Sequence, residues 1–194
     1  NGGLNWDTIF TVRGNRTELA VSADDPNILY GLSGAHGGAL KAISKSVNGG
    51  QTAVMILDGD IPGNNLTCGC NPNGEGGQSH YDLAIAADPA NAEVVFIGGI
   101  EGGKAPVGGG VGVLTLMVMG VFAINNNVHV DQHYHAFQPG TNDFFICSDG
   151  GIYYSENSGI SYTNISGGLT INQPYRIGCS HMPGEILMGQ QDNG

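Results

Sequence analysis

The chain has 194 residues, enough for one ordinary domain with its own core. Its net charge is −11 with only six Lys and Arg, which argues against nucleic acid as a partner, because phosphate neutralisation needs basic clusters. Glycine supplies 34 residues against a usual share of about 7%, yet charged residues are only 12%, so the glycines do not mark a disordered polyelectrolyte. With short Val, Ile, Leu and Tyr runs between them, they read as many short strands joined by tight turns.

In chain order, one unit repeats. It is a strand, a Pro-containing hairpin turn and a second strand. The first copy runs from Glu18 through Pro26 to Gly31 and the second from Asp82 through Pro89 to Gly98. The third runs from His133 through Pro139 to Ser148 and the fourth from Arg176 through Pro183 to Gly189. The segments 17–22, 81–87, 132–137 and 174–179 are expected to be equivalent inner strands of successive four-stranded antiparallel sheets.

A second element alternates with these hairpins. Ser155-Glu-Asn157-Ser-Gly159-Ile-Ser161-Tyr162 has the form Ser-x-Asp-x-Gly-x-Thr-Trp, with Asn, Ser and Tyr standing for Asp, Thr and Trp. Ser46-Val-Asn48-Gly-Gly50-Gln-Thr52 repeats it, and Asn1-Gly-Gly3-Leu-Asn-Trp6 and Ala105-Pro-Val107-Gly-Gly109 fall in register in weaker form. The Asn side chain is expected to accept backbone N–H bonds across the loop, the glycine to take a positive φ, and the aromatic to pack beside the neighbouring unit. Such a turn is a structural staple and implies no catalysis. A strand-built period of about 40–60 residues points to propeller blades. Ala105 to Ile124 carries no charge over 20 residues. It reads either as strands of a blade with a worn-down turn or as a membrane span, and Gly108 to Gly112 interrupts the latter.

At these residues the chain resembles Asp-box (BNR-repeat) β-propellers of secreted bacterial glycosyl-hydrolase-like proteins, related to xyloglucanase-type and sortilin-type propellers. The resemblance is most specific at Tyr81-Asp-Leu-Ala-Ile-Ala, Val128-His-Val-Asp-Gln-His133, Ser148-Asp-Gly-Gly-Ile-Tyr153 and Gln190-Gln-Asp-Asn-Gly194. It implies an all-β propeller fragment of four-stranded blades. Residues 1–12 would end a preceding blade, and 13–57, 58–120 (with an inserted loop) and 121–166 would be blades. Residues 167–194 would begin another, with further blades supplied by the rest of a longer polypeptide. It also implies a secreted or cell-surface protein.

Several groups could carry chemistry. Alternation along a strand would put His129, Asp131, His133 and His135 on one face. His129, Asp131 and His133 are then weak metal candidates, and a channel-mouth network in which Asp131 orients a histidine is the competing and preferred reading, because same-face neighbours lie ~7 Å apart. Glu18, Asp82 and Asp131 stand near the starts of successive inner strands. Asp82 and Asp131 are the candidates for a catalytic carboxylate pair, the alternative being solvated rim acids. Asp24, Asp25, Asp88 and Asp149 read as turn-holding acids. Trp6, Tyr81, Tyr134 and Tyr175 could stack on sugar rings, although Trp6 reads better as packed in its turn. Arg13, Arg16 and Arg176 are too few and too clustered for the arginine clamp of a sialidase. No motif for a cofactor is present, and Gly108 to Gly112 lacks the ending of a phosphate loop.

Inner strands of a propeller start at one face, so Glu18, Asp82, Asp131, His133, Tyr175 and Arg176 are expected to converge there as a ligand site, or to line a hydrated channel. The expected function is a binding module for polysaccharide or protein partners. The alternative, implied by the resemblance, is a glycoside hydrolase acting on β-glucan-type polysaccharide. Cys147 and Cys179 could pair if their strands adjoin, or remain buried thiols; Cys68 and Cys70 are too close together to pair easily. Asn15, Asn65 and Asn164 fit the glycosylation acceptor pattern, which chance also produces in so Asn-rich a chain.

Overall fold

The structure is a computed structural model and describes residues 3–8, 11, 14–67, 76–100, 114–117, 120–123, 127–169, 174–182 and 184–190. The chain folds into successive antiparallel sheets whose strands pair with their sequence neighbours. β1 (Arg16–Val21), β2 (Leu29–Gly34), β3 (Leu40–Ser46) and β4 (Val54–Asp58) make the first sheet. β5 (Ala84–Ala87), β6 (Val94–Gly98), β7 (Leu114–Met117) and β8 (Gly120–Ala123) make the second. β9 (Gln132–Phe137), β10 (Phe144–Ser148), β11 (Gly151–Ser155) and β12 (Thr163–Asn164) make the third, and β13 (Pro174–Cys179) pairs with β14 (Ile186–Gln190). No helix occurs among the described residues. None therefore is long and apolar enough to cross a membrane. The uncharged stretch contributes β7 and β8; its turn, residues 105–111, lies outside the described residues, as do Cys68 and Cys70.

The first strand of each sheet is the first strand of a hairpin unit, and β1 packs on β5 as β5 packs on β9. The second sheet is thus covered on both faces, and this explains its unbroken apolar run Val94-Val-Phe-Ile97. Val95 and Ile97 join Tyr30, Leu32, Ile43 and Leu83 in one core. Val94 and Phe96, on the opposite face, join Phe144, Ile146 and Tyr153 in another. Each such buried side chain contributes about 1.5–3 kcal/mol, so sheet-to-sheet burial is the main cohesive term.

Polar staples reinforce these contacts. Tyr30 Oη donates to the Ala92 carbonyl at 2.8 Å, Ala92 N donates to Asp24 Oδ2 at 3.2 Å, and Lys45 Nζ bonds both carboxylate oxygens of Glu93 at 2.7 Å. Asp25 and Asp88 hold their turns by accepting from Asn27 N and Ala90 N.

The turns between the third and fourth strands of the first and third sheets share one bonding set. Ser46 Oγ donates to Asn48 Oδ1 at 3.0 Å and accepts from Gly50 N at 3.0 Å, while Thr52 N donates to Asn48 Oδ1 at 3.0 Å. Ser155 Oγ donates to Asn157 Oδ1 at 2.9 Å and accepts from Gly159 N at 2.8 Å, while Ser161 N donates to Asn157 Oδ1 at 2.9 Å. Gly50 and Gly159 both have φ of 82°. A Cβ on Gly159 would lie 2.7 Å from Tyr162 Oη and 2.9 Å from Phe96 Cε1, so the turn is also pressed against the second sheet.

Trp6 is 87% exposed with its ring beside Gly3 of its own turn, which corrects the expectation that the turn's aromatic buries against a neighbouring unit. Of the two readings of Cys147 and Cys179 the unpaired one holds, with Cys147 half-buried and Cys179 exposed. Asn65 is buried, its amide accepting from Leu40 N and donating to the Gly76 carbonyl, so it is no glycosylation acceptor in the folded chain.

Candidate functional site

The side-by-side packing of β1, β5 and β9 brings the starts of these strands together. Asp82 lies just before β5 and is 1% exposed. His133, the second residue of β9, turns its ring toward it: Nδ1 stands 3.5 Å from Asp82 Oδ1, and Nε2 is 2.8 Å from Asp149 Oδ1 in the β10–β11 turn. The Tyr81 ring meets the His133 ring edge-on, with centroids 5.0 Å apart. Asp131 holds a left-handed backbone, φ 59°, a conformation Asp tolerates better than most residues, and its carboxylate faces that of Asp82.

A bulge creates this arrangement. Ser148 pairs with Gln132 but Cys147 pairs with Tyr134, so His133 is the extra residue of β9. An extra residue breaks the alternation of faces. His135 consequently turns away from His133 and is buried, its Nε2 2.8 Å from Gln132 Oε1. Both side chains lie against Gly98 of β6, where a Cβ would come within 2.2 Å of Gln132 Oε1. His129 is exposed, with Nδ1 2.9 Å from the Val130 carbonyl. The expectation that residues 129, 131, 133 and 135 share one strand face is therefore wrong, because Asp131 precedes β9 and the bulge shifts His133. Among the described residues no three His, Cys, Asp or Glu side chains are placed to hold a metal ion.

Electrostatics follow from burial. Desolvation pushes the Asp82 carboxyl up from 3.8 to about 6; nearby His133 opposes the shift, and Asp131 and Asp149 add to it. Burial drives His135 the other way, down to about 3, so it is neutral at ordinary pH. Neither Asp82 oxygen receives a hydrogen bond from a nitrogen or hydroxyl donor, and its carboxyl partner is Asp131.

Of the six expected ligand residues, Asp131 and His133 each meet Asp82. Glu18 stands at the edge, its Oε1 accepting from Arg16 Nε at 2.9 Å. Arg16 also donates to the Tyr81 carbonyl and, at 3.4 Å, to the Leu83 carbonyl, which ties β1 to the segment carrying Asp82. Arg176 is exposed on β13. The Tyr175 side chain lies outside the described residues. Sequence reasoning undervalued Asp149 as a turn acid. The hairpin offered a signal, since the turn joining β10 to β11 returns the chain beside the start of β9. From this end a groove of about 370 Å³ runs between the three first strands, past Glu18, Leu83, His133 and Tyr134 and the small residues Ala84 and Ala136.

These sheets and this groove define the class as an all-β, propeller-like chain. Of the solved structures it resembles, the GH74 xyloglucanase from Xanthomonas campestris aligns over 87% of this chain and 25% of its own, at 17% identity and a TM-score of 0.50. A GH74 enzyme from Niastella koreensis aligns over 79% of this chain and 22% of its own, at 20% identity and 0.49. YCF48 from Cyanidioschyzon merolae aligns over 82% and 44%, at 15% and 0.44. The chain thus spans about a quarter of the two GH74 enzymes. No protein-family profile and no curated protein matches it.

Proposed function

We propose that the chain is a section of an Asp-box (BNR-repeat) β-propeller, secreted or displayed at the cell surface, with the sheets β1–β4, β5–β8 and β9–β12 as its blades, and that it binds polysaccharide or protein partners at its acidic mouth. The observation that carries this reading is the convergence of Asp82, Asp131, His133 and Asp149 from two sheets, with His133 also lining the groove between the first strands. Convergent polar groups in a concave site are the default signature of ligand binding. The repeated Ser-Asn-Gly turn bonds support the repeat assignment.

A second reading has an observation of its own. Asp82 keeps its proton up to about 6, and two carboxyl groups with separated roles are what glycoside hydrolysis needs. In that reading Asp82 is the acid and Asp131 its partner, acting on a β-glucan-type chain. A glycan array separates the two, together with assays for released reducing sugar. Binding without release supports the module. Release that is lost in Asp82→Asn supports the hydrolase. Absence of both, with soluble protein partners also failing to bind, refutes the mouth as the site.

A further inference from the structure

The groove meets the first strands along their edges. Its lining runs through consecutive residues of each one, Glu18 to Val21 in β1, Leu83 to Ala87 at β5 and His133 to Phe137 in β9. Successive side chains of a strand point to opposite faces, so a wall of consecutive residues is a strand edge and presents backbone. Among the described residues β1, β5 and β9 each end their sheet. In β1 the outward groups can be named. Ser22 N donates to the Ile28 carbonyl at 3.0 Å, and β1 pairs with β2 without a shift of register. Alternation then turns the N–H and C=O of Leu19 and Val21 away from β2. These residues are 72% and 55% exposed, and Tyr134 of β9 is 64% exposed, so the walls are open. Ala84 and Ala86 of β5 leave space between them. A strand edge beside a groove of about 370 Å³ suits an extended peptide, because an added strand continues the ladder at about 4.8 Å. The groove is also charged at one end. Glu18 lines it at the mouth, where His133 leads to Asp149, a side chain 57% exposed. Its other end is lined by the turn residues Pro89, Pro139 and Gly140. The net charge of −11 deepens the negative potential over the whole.

We propose that the groove takes an extended peptide segment of a partner protein, hydrogen-bonded along the β1 edge, with a basic residue over Glu18 and Asp149. This rests on the reading of the mouth as a binding site and commits its partner to protein. Antiparallel pairing is the more stable kind. β1 starts at the mouth, so the basic residue stands at the C-terminal end of the bound segment. Leu19, Val21 and Tyr134 then flank the peptide side chains.

The test is fluorescence anisotropy with labelled, end-capped hexapeptides. The probes are Thr-Val-Thr-Val-Thr-Lys, the same peptide with Glu in place of Lys, and the Lys peptide N-methylated at alternate amides in each of the two registers. A neutral β-glucan hexamer is measured beside them by calorimetry. The Lys peptide is expected to bind at least about tenfold more tightly than the Glu peptide at low salt, with the gap narrowing at high salt. One methylated register is expected to lose at least about tenfold and the other to keep its affinity, because only alternate amides of a strand meet a given edge. Leu19→Pro removes an N–H turned away from β2 and is expected to weaken the Lys peptide, while Asp149→Lys, at an exposed turn, is expected to narrow the gap between the Lys and Glu peptides. Equal binding of the Lys and Glu peptides, or of the two methylated registers, overturns the proposal. Binding of the glucan without any peptide overturns it and leaves the glycan reading of the mouth standing. Binding of none overturns both.

Discussion

Replacing Asp82 with Asn tests whether the mouth is as buried and as acidic as described. The carboxyl goes from 3.8 in the unfolded chain to about 6 in the folded one. A raised acid binds its proton more tightly when folded, so its stabilising contribution is full below 3.8 and is lost as pH rises through about 6. A shift of this size corresponds to roughly 3 kcal/mol. Wild type carries that burden at neutral pH, whereas the Asn side chain, the isostere of the protonated acid, does not. Urea unfolding at about pH 4, 5, 6 and 7.5 gives the difference in unfolding free energy between the two proteins. The difference cancels the titrating groups that do not interact with Asp82, His135 among them. Asp82→Asn is expected to match wild type at the acid end and to exceed it by up to about 3 kcal/mol at about pH 7.5. A difference that does not change with pH would refute the buried, uncompensated carboxyl and the site built on it.

Two further outcomes are expected. Gly159→Val combines a β-branched residue at φ 82° with a Cβ 2.7 Å from Tyr162 Oη, and should cost about 1–3 kcal/mol in chemical denaturation; an unaltered midpoint would show that the turn is not left-handed there. His135, driven from 6.5 down to about 3 by burial, contributes stability that is full above 6.5 and is lost as pH falls toward about 3. Its ring signals in NMR should stay those of a neutral imidazole at about pH 5, and an ordinary titration near 6.5 would contradict the burial.

The strands were legible because hairpins are local. Glu18 to Gly31 contains both strands, the Pro26 turn and the alternation that sets their faces, and β1 and β2 pair as that pattern requires. The Ser46 and Ser155 turns were legible for the same reason, since the side-chain bonds that define them span four residues or fewer. The approach of Asp82 to His133 followed from equivalence between repeats. The bulge at His133 was not legible, because it depends on the register of Ser148 and Cys147 across the sheet, and nothing in Asp131-Gln-His133 marks it. The roles of Asp149 and Arg16 were missed for a related reason. Each acts through a partner from another strand or sheet, 16 residues away for Asp149 and His133 and 67 for Arg16 and Leu83.

The convergence of residues from separate sheets is the claim on which the rest stands, and the Asp82 carboxyl reports it. In an NMR titration its carboxyl carbon signal is expected to inflect at about 6 in wild type, at higher pH in His133→Asn and at lower pH in Asp149→Asn, because His133 opposes the rise and Asp149 adds to it. An Asp82 inflection that neither substitution moves would contradict the account.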